Sequence, residues 1–222
     1  MGYNTAKKKM RRKVTLVSIL TALIILVSGS FETISAQSKQ LQKARKKQVK
    51  EQLKKYKKEG WQVDGTTKSL EVALLEHYAK LEDENNRELL GTADGCESRN
   101  VCQNEALNNA MIKYAQEAKS HVMGRVNSEM GDVGEAELDN FYAAYERLVS
   151  STIEGELRLS VSLYREKKDG TREYNSFFIV NEDQASKRRV KAMQNAAKES
   201  EAAQKFADQI SDFVREGFEI SE

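Results

Sequence analysis

Residues 157–164 alternate strictly, with Leu157, Leu159, Val161 and Leu163 set between Arg158, Ser160, Ser162 and Tyr164. A period of two gives a strand one buried face and one facing water. Lys168-Asp169-Gly170-Thr171 then supplies the Asp-Gly pair of a tight hairpin turn. Thr171 to Val180 returns with Tyr174, Phe177, Phe178, Ile179 and Val180. Its apolar residues fall on both faces, which suits a central or helix-covered strand.

The segments around this hairpin read mainly as helices. Gly60 stops a lysine-rich helix, and Trp61 to Gly65 reads as an extended turn with Trp61, the only tryptophan, packing at a junction. Thr66, Thr67 or Ser69 caps a helix bearing Leu70, Ala73, Leu74, His77, Tyr78 and Leu81 on one face. The polar run Glu82 to Arg87 ends it. Glu88 to Gly95 is a short strand candidate in which Gly91 permits a bulge or a close backbone approach. From Gln103 to about Ser128, Leu107, Ala110, Met111, Tyr114, Ala118, Val122 and Val126 form a core stripe. Leu138, Phe141, Tyr142, Tyr145, Leu148 and Val149 form a second, shorter one beyond Gly131 and Gly134.

Asp183 to Phe218 reads as one long helix, or two in line with a weak middle near Ser200. It carries Val190, Met193, Ala197, Phe206, Ile210, Phe213 and Val214, with Lys187-Arg188-Arg189 as a solvated face. The chain has no proline to interrupt these helices. The expected fold is α+β: a three-stranded, mostly antiparallel sheet packed against two helices, with long N- and C-terminal helices. The expected divisions are 1–36, 37–59, 60–182 and 183–222.

Charge separates the same regions. Residues 1–36 hold six basic residues and one acid, 37–58 hold ten and one, and 59–222 hold twenty basic against thirty-two acidic. The net +2 of the whole chain therefore hides an acidic body behind a basic leader and helix. A nucleic-acid footprint on that body is not expected. Lys7 to Lys13 precede the fourteen residues Val14–Val27, eleven of them apolar, and small residues through Ala36 follow. A helix of that length rises ~21 Å, short of a ~30 Å hydrocarbon core. The pattern is that of a secretory signal with cleavage after Ala36; an uncleaved N-terminal anchor is the alternative. No cysteine follows the apolar run, so no acyl anchor is expected.

Export to an oxidising compartment favours a disulfide between Cys96 and Cys102, unlinked thiols being the alternative. Two cysteines and two histidines, His77 and His121 in separate helices, supply no catalytic or metal constellation. No glycine-rich phosphate loop follows a strand. No cofactor, metal or catalytic residue is expected.

Leu89-Leu90-Gly91-Thr92-Ala93, the Ala106 to Ala118 helix and the Leu157 to Val180 hairpin carry a resemblance. Over about residues 86–182 the chain resembles the small envelope-lipoprotein family whose fold is shared with the N-terminal domain of the flagellar assembly protein T. Around Gly60-Trp61 and Leu70 to Leu74 it is also similar to exported proteins of Gram-negative anaerobes. The resemblance implies a strand, an alanine-rich helix and a closing hairpin, and it transfers no site residues.

The functional expectation is an exported, non-enzymatic protein of the periplasm or cell envelope of a Gram-negative bacterium. Its partner would be an envelope protein or an anionic envelope surface, met through Lys46, Lys47, Lys54 and Lys55 on the basic helix. The apolar stripe of that helix (Leu41, Ala44, Val49, Leu53, Tyr56) is too thin for strong insertion into lipid. No transmembrane span is expected in the mature chain. Two rivals are a periplasmic hydrolase using carboxylates such as Asp94, Glu105 and Glu117, and an oligomeric structural component pairing through the C-terminal helix.

Overall fold

The computed structural model describes residues 43, 44, 46, 47, 49–129 and 135–216. The expected signal segment and cleavage after Ala36 lie outside the described residues. The chain divides into two units, Met1–Gln52 and Leu53–Glu222. In the first, the described residues are helical. Residues 49–58 form helix α1, whose last turn closes through Glu59 N–H to Lys55 C=O and Trp61 N–H to Tyr56 C=O. Gly60 takes a φ of 80° at that stop, the left-handed conformation that glycine adopts without strain.

The second unit is α+β, with a sheet of four antiparallel strands in the order β1-β3-β4-β2. β3 (Leu157–Glu166) and β4 (Arg172–Asn181) form the expected hairpin, turned by Gly170 at a φ of 83°, but the strict alternation expected of β3 does not hold: a register shift between Leu159 and Val161 leaves Leu159 exposed and Ser162 buried. β2 (Asn86–Cys96) pairs with β4 along its whole length. The fourth strand corrects the three-stranded expectation. β1 (Gln62–Val63) pairs with Tyr164 and Leu163 of β3, where the sequence reads only as a turn. Two residues are too few to show any alternation, so the strand exists through pairing alone. β2 likewise begins two residues before the apolar signal, because Asn86 and Arg87 are held by Asn181 and Val180.

Successive β4 residues serve opposite faces. Phe178 and Val180 join Leu89 in the main core with α3 (Arg99–Glu129), α4 (Glu135–Thr152) and α5 (Glu182–Ala196). Phe177 joins Val161, Leu163 and Trp61 in a second core closed by Ala73 of α2 (Leu70–Lys80). Ser69 Oγ accepts from Val72 N–H to cap α2, and Asn181 Oδ1 accepts from Gln184 N–H to cap α5.

Helix α3 comes very close to the sheet at Gly91. A Cβ at that position would lie 2.0 Å from the Ala106 carbonyl oxygen and 3.0 Å from Ala110 Cβ. The register sets Gly91 beside Ser176, and Ser176 beside Ser162, so three small residues run in a row across the sheet. The buried Ser162 and Ser176 hydroxyls satisfy one another at 2.9 Å. The bulge itself falls elsewhere, between Asp94 and Cys96, where Gly95 has a φ of 73°.

The C-terminal region breaks at the expected weak middle near Ser200, into helices that are not in line. A 3-10 turn at Ala197–Glu199 and the break at Ser200 separate α5 from α6 (Glu201–Lys205) and α7 (Ala207–Glu216). Ser200 Oγ accepts from Ala203 N–H and starts the new helix. The break lets α7 fold back, and Ile210, Phe213 and Val214 are buried in the chain's own main core. The stripe expected to meet a second chain is therefore already covered. A second correction concerns Arg189, read as part of a solvated face. It is 2% exposed, with Nη1 donating to Glu182 Oε2 at 2.6 Å and to Tyr114 Oη.

Candidate anionic-surface interface

The lysines expected to make envelope contact are all on helix and all exposed. In the first unit these are Lys46 and Lys47, with Lys43 and Lys50 beside them. Their spacing of three and four residues repeats the helical period. In the second unit Lys54 and Lys55 are exposed, followed by Lys57 and Lys58 at the same spacing. The one acid among them, Glu51, lies 3.9 Å from Lys47 with both side chains in solvent, so it offsets little of the positive charge.

The C-terminal turn of α1 is held by aromatic packing rather than by charge. Leu53 is buried, and the Tyr56 ring meets Trp61 edge-on at 6.1 Å and Phe177 at 6.5 Å. Trp61 Nε1 donates to Glu59 Oε2 at 3.0 Å, and the Arg165 guanidinium lies 4.9 Å from the indole centroid. Burial, reinforced by Tyr78, Glu88 and Glu59, pushes the Tyr56 phenol up to about 12. Trp61 thus sits at a junction, as its solitary position in the sequence suggests, and it is what fixes the end of the lysine helix.

Cys96 and Cys102 form a disulfide that ties the end of β2 to the first turn of α3, with Cα atoms 5.5 Å apart. The thiols are thereby unavailable to a cysteine–histidine pair. His77 on α2 is 1% exposed and hydrogen-bonds Glu88 Oε2 of β2 at 2.5 Å, while His121 sits apart on α3.

Two of the carboxylates of the hydrolase rival are engaged in separate ion pairs. Asp94 pairs with Lys167, whose hydrogen bond holds the carboxyl below its usual range, and Glu117 meets Arg87 at 3.0 Å. Glu105 is half-buried on α3. None of the three lines the cavities along the sheet or beside α5.

The sequence reading missed one half-buried polar cluster around the buried Tyr114 and Arg189. Arg87 of β2 meets Glu117 of α3 and, at 3.2 Å, Glu182 of α5, which also receives Arg189; Tyr114 lies under both guanidinium groups. Burial raises the Tyr114 phenol. Its two arginines and two glutamates balance, and it locks a strand to two helices. The only signal for it was Glu182 and Arg189 at heptad spacing, which marks one face of a helix but names no partner.

Among the described residues no group of three His, Cys, Asp or Glu side chains could hold a metal ion, and no helix is long and apolar enough to cross a membrane. No protein-family model, no curated protein and no solved structure matches the chain.

Proposed function

We infer that this chain is an exported, non-enzymatic cell-envelope protein that meets an anionic envelope surface through the lysines of its N-terminal basic helix. The observation that carries the reading is the exposure of Lys46, Lys47, Lys54 and Lys55 on helical backbone, with Glu51 the lone acid among them. Residues 59–222 hold twelve more acids than bases, so attraction to such a surface falls to this helix alone. Within the second unit, Leu53 is buried and Tyr56 packs against Trp61 and Phe177, so these apolar groups are used in packing rather than offered to lipid. The secretory pattern of residues 1–36 and the resemblance to the envelope-lipoprotein family support the location.

Each lysine near an anionic surface contributes ~1 kcal/mol, or about fivefold in affinity. Replacing Lys46, Lys47, Lys54 and Lys55 together with glutamine should weaken sedimentation with phosphatidylglycerol vesicles by about two to three orders of magnitude. Binding of the unaltered chain should fall steeply between low and high salt. Equal sedimentation with neutral phosphatidylcholine vesicles, or no loss in the fourfold variant, would remove this function.

A further inference from the structure

The exposed lysines of the N-terminal helix fall into rows. In the first unit Lys43, Lys46, Lys47 and Lys50 are related as i, i+3, i+4 and i+7; in the second, Lys54, Lys57 and Lys58 are related as i, i+3 and i+4. Residues at such intervals share one face of a helix. At a rise of about 1.5 Å per residue the first row is ~10 Å long and the second ~6 Å, with a charge roughly every 5 Å along each. Lys55 stands apart. A helix turns by about 100° per residue, so Lys55 lies off the row that Lys54 begins.

The surroundings of the second row decide what shape of anion suits it. Glu59, the acid that follows it, accepts from Trp61 Nε1 at 3.0 Å. Leu53 is buried and Tyr56 packs on Trp61 and Phe177, so the apolar side of this turn is used within the body. Binding at the row therefore rests on charge, with no apolar face to enter a bilayer. A flat anionic sheet touching Lys54, Lys57 and Lys58 would lie one helix width, ~10 Å, from the body that Leu53 and Tyr56 pack against. That is about one Debye length at about 0.1 M salt, and well inside the ~30 Å of about 0.01 M salt. Residues 59–222 hold twelve more acids than bases, so such a sheet repels the body while it attracts the row. A thread no wider than the row meets the lysines and leaves most of the body out of reach.

We propose that these rows bind a linear acidic polysaccharide of the envelope in preference to a plane of lipid headgroups, a proposal that rests on reading the helix as the contact with an anionic envelope surface. Acid groups repeated along an extended polymer meet lysines repeated along the helix. Once one pair has formed, each further pair forms within a complex already tethered.

Polygalacturonate, with a carboxylate on every sugar, is the probe. The full chain is bound to phosphatidylglycerol vesicles at about 0.1 M salt and sedimented with increasing polymer. Release is expected at a carboxylate concentration at least about tenfold below that of the lipid headgroups, while monomeric galacturonate at the same carboxylate concentration releases nothing. As salt falls to about 0.01 M, affinity for the polymer should keep rising and affinity for vesicles should level off. Lys54→Gln should weaken polymer binding at least about threefold and Lys55→Gln by much less. Both variants should keep their circular dichroism, since both side chains are exposed. Vesicle binding that polygalacturonate does not displace, release by the monomer, a vesicle affinity that climbs as steeply as that for the polymer, or equal losses in the two variants would overturn the proposal and leave the envelope contact standing. Binding to neither vesicles nor polymer would remove both.

Discussion

Gly91 is the residue on which the fold turns most sharply. The helix α3 approaches the sheet so closely there that even a methyl group would strike the Ala106 carbonyl, which is backbone and cannot step aside. Gly91→Ala should therefore cost about 3 kcal/mol, the upper end of ordinary overpacking. Gly124, also on α3, has open space where its Cβ would be, and Gly124→Ala should stabilise by about 0.5–1 kcal/mol through helix propensity. Urea denaturation of the two variants checks the pair: opposite signs are expected, and equal effects would mean that the contact at Gly91 is not tight. The sequence offered Gly91 as either a bulge or a close approach, and only the alanines opposite it decide between them. Arg189 was not legible in this way. A Lys-Arg-Arg run gives no hint that its third member turns inward, since that depends on Glu182 and Tyr114 lying where α3 and α5 cross.

At the scale of elements, what could be read was periodic and long. The stripes of α3 and α4 follow from helical spacing over ten residues or more, and the hairpin from its Asp-Gly turn, although the alternation of β3 fails at the register shift between Leu159 and Val161. What could not be read was short or broken. β1 exists only because Tyr164 and Leu163 are there to pair with it. The C-terminal helix breaks at the weak middle near Ser200, where Ser200 caps a new start, but the spacing pattern does not reveal that the segments beyond it fold back rather than run in line. The Cys96–Cys102 disulfide closes a short loop across the junction of β2 and α3. Loop-closure entropy for seven residues gives it about 2 kcal/mol. Reduction, or replacement of both cysteines by serine, should lower stability by that amount without unfolding the sheet. Intact mass without reductant should show two hydrogens fewer than the dithiol, and a chain with two alkylatable thiols would contradict the linkage.

Across the whole molecule, charge separates the acidic body from the lysine helix, to which the proposed contact is assigned. The body also sets a pH limit. The Tyr56 phenol is raised from 10 to about 12 on folding, so the folded state holds its proton over a range in which the unfolded chain releases it. This contribution is complete below pH 10 and is lost as pH rises through about 12. Burial of Tyr114 and Tyr145 acts in the same direction. Stability should fall progressively above pH 10, with phenolate absorbance at 295 nm lagging behind that of free tyrosine. Tyr56→Phe should flatten part of the slope, and stability that stays level to pH 12 would contradict the burial of these rings.

The proposed contact is best tested on a cell envelope. When the chain is expressed in a Gram-negative cell and the envelope is washed at low salt, the unaltered protein should remain with the envelope fraction. The variant with Lys46, Lys47, Lys54 and Lys55 changed to glutamine should be released into the soluble fraction. An unchanged distribution of the variant, or recovery of either protein from the cytosol with its signal segment intact, would contradict the account.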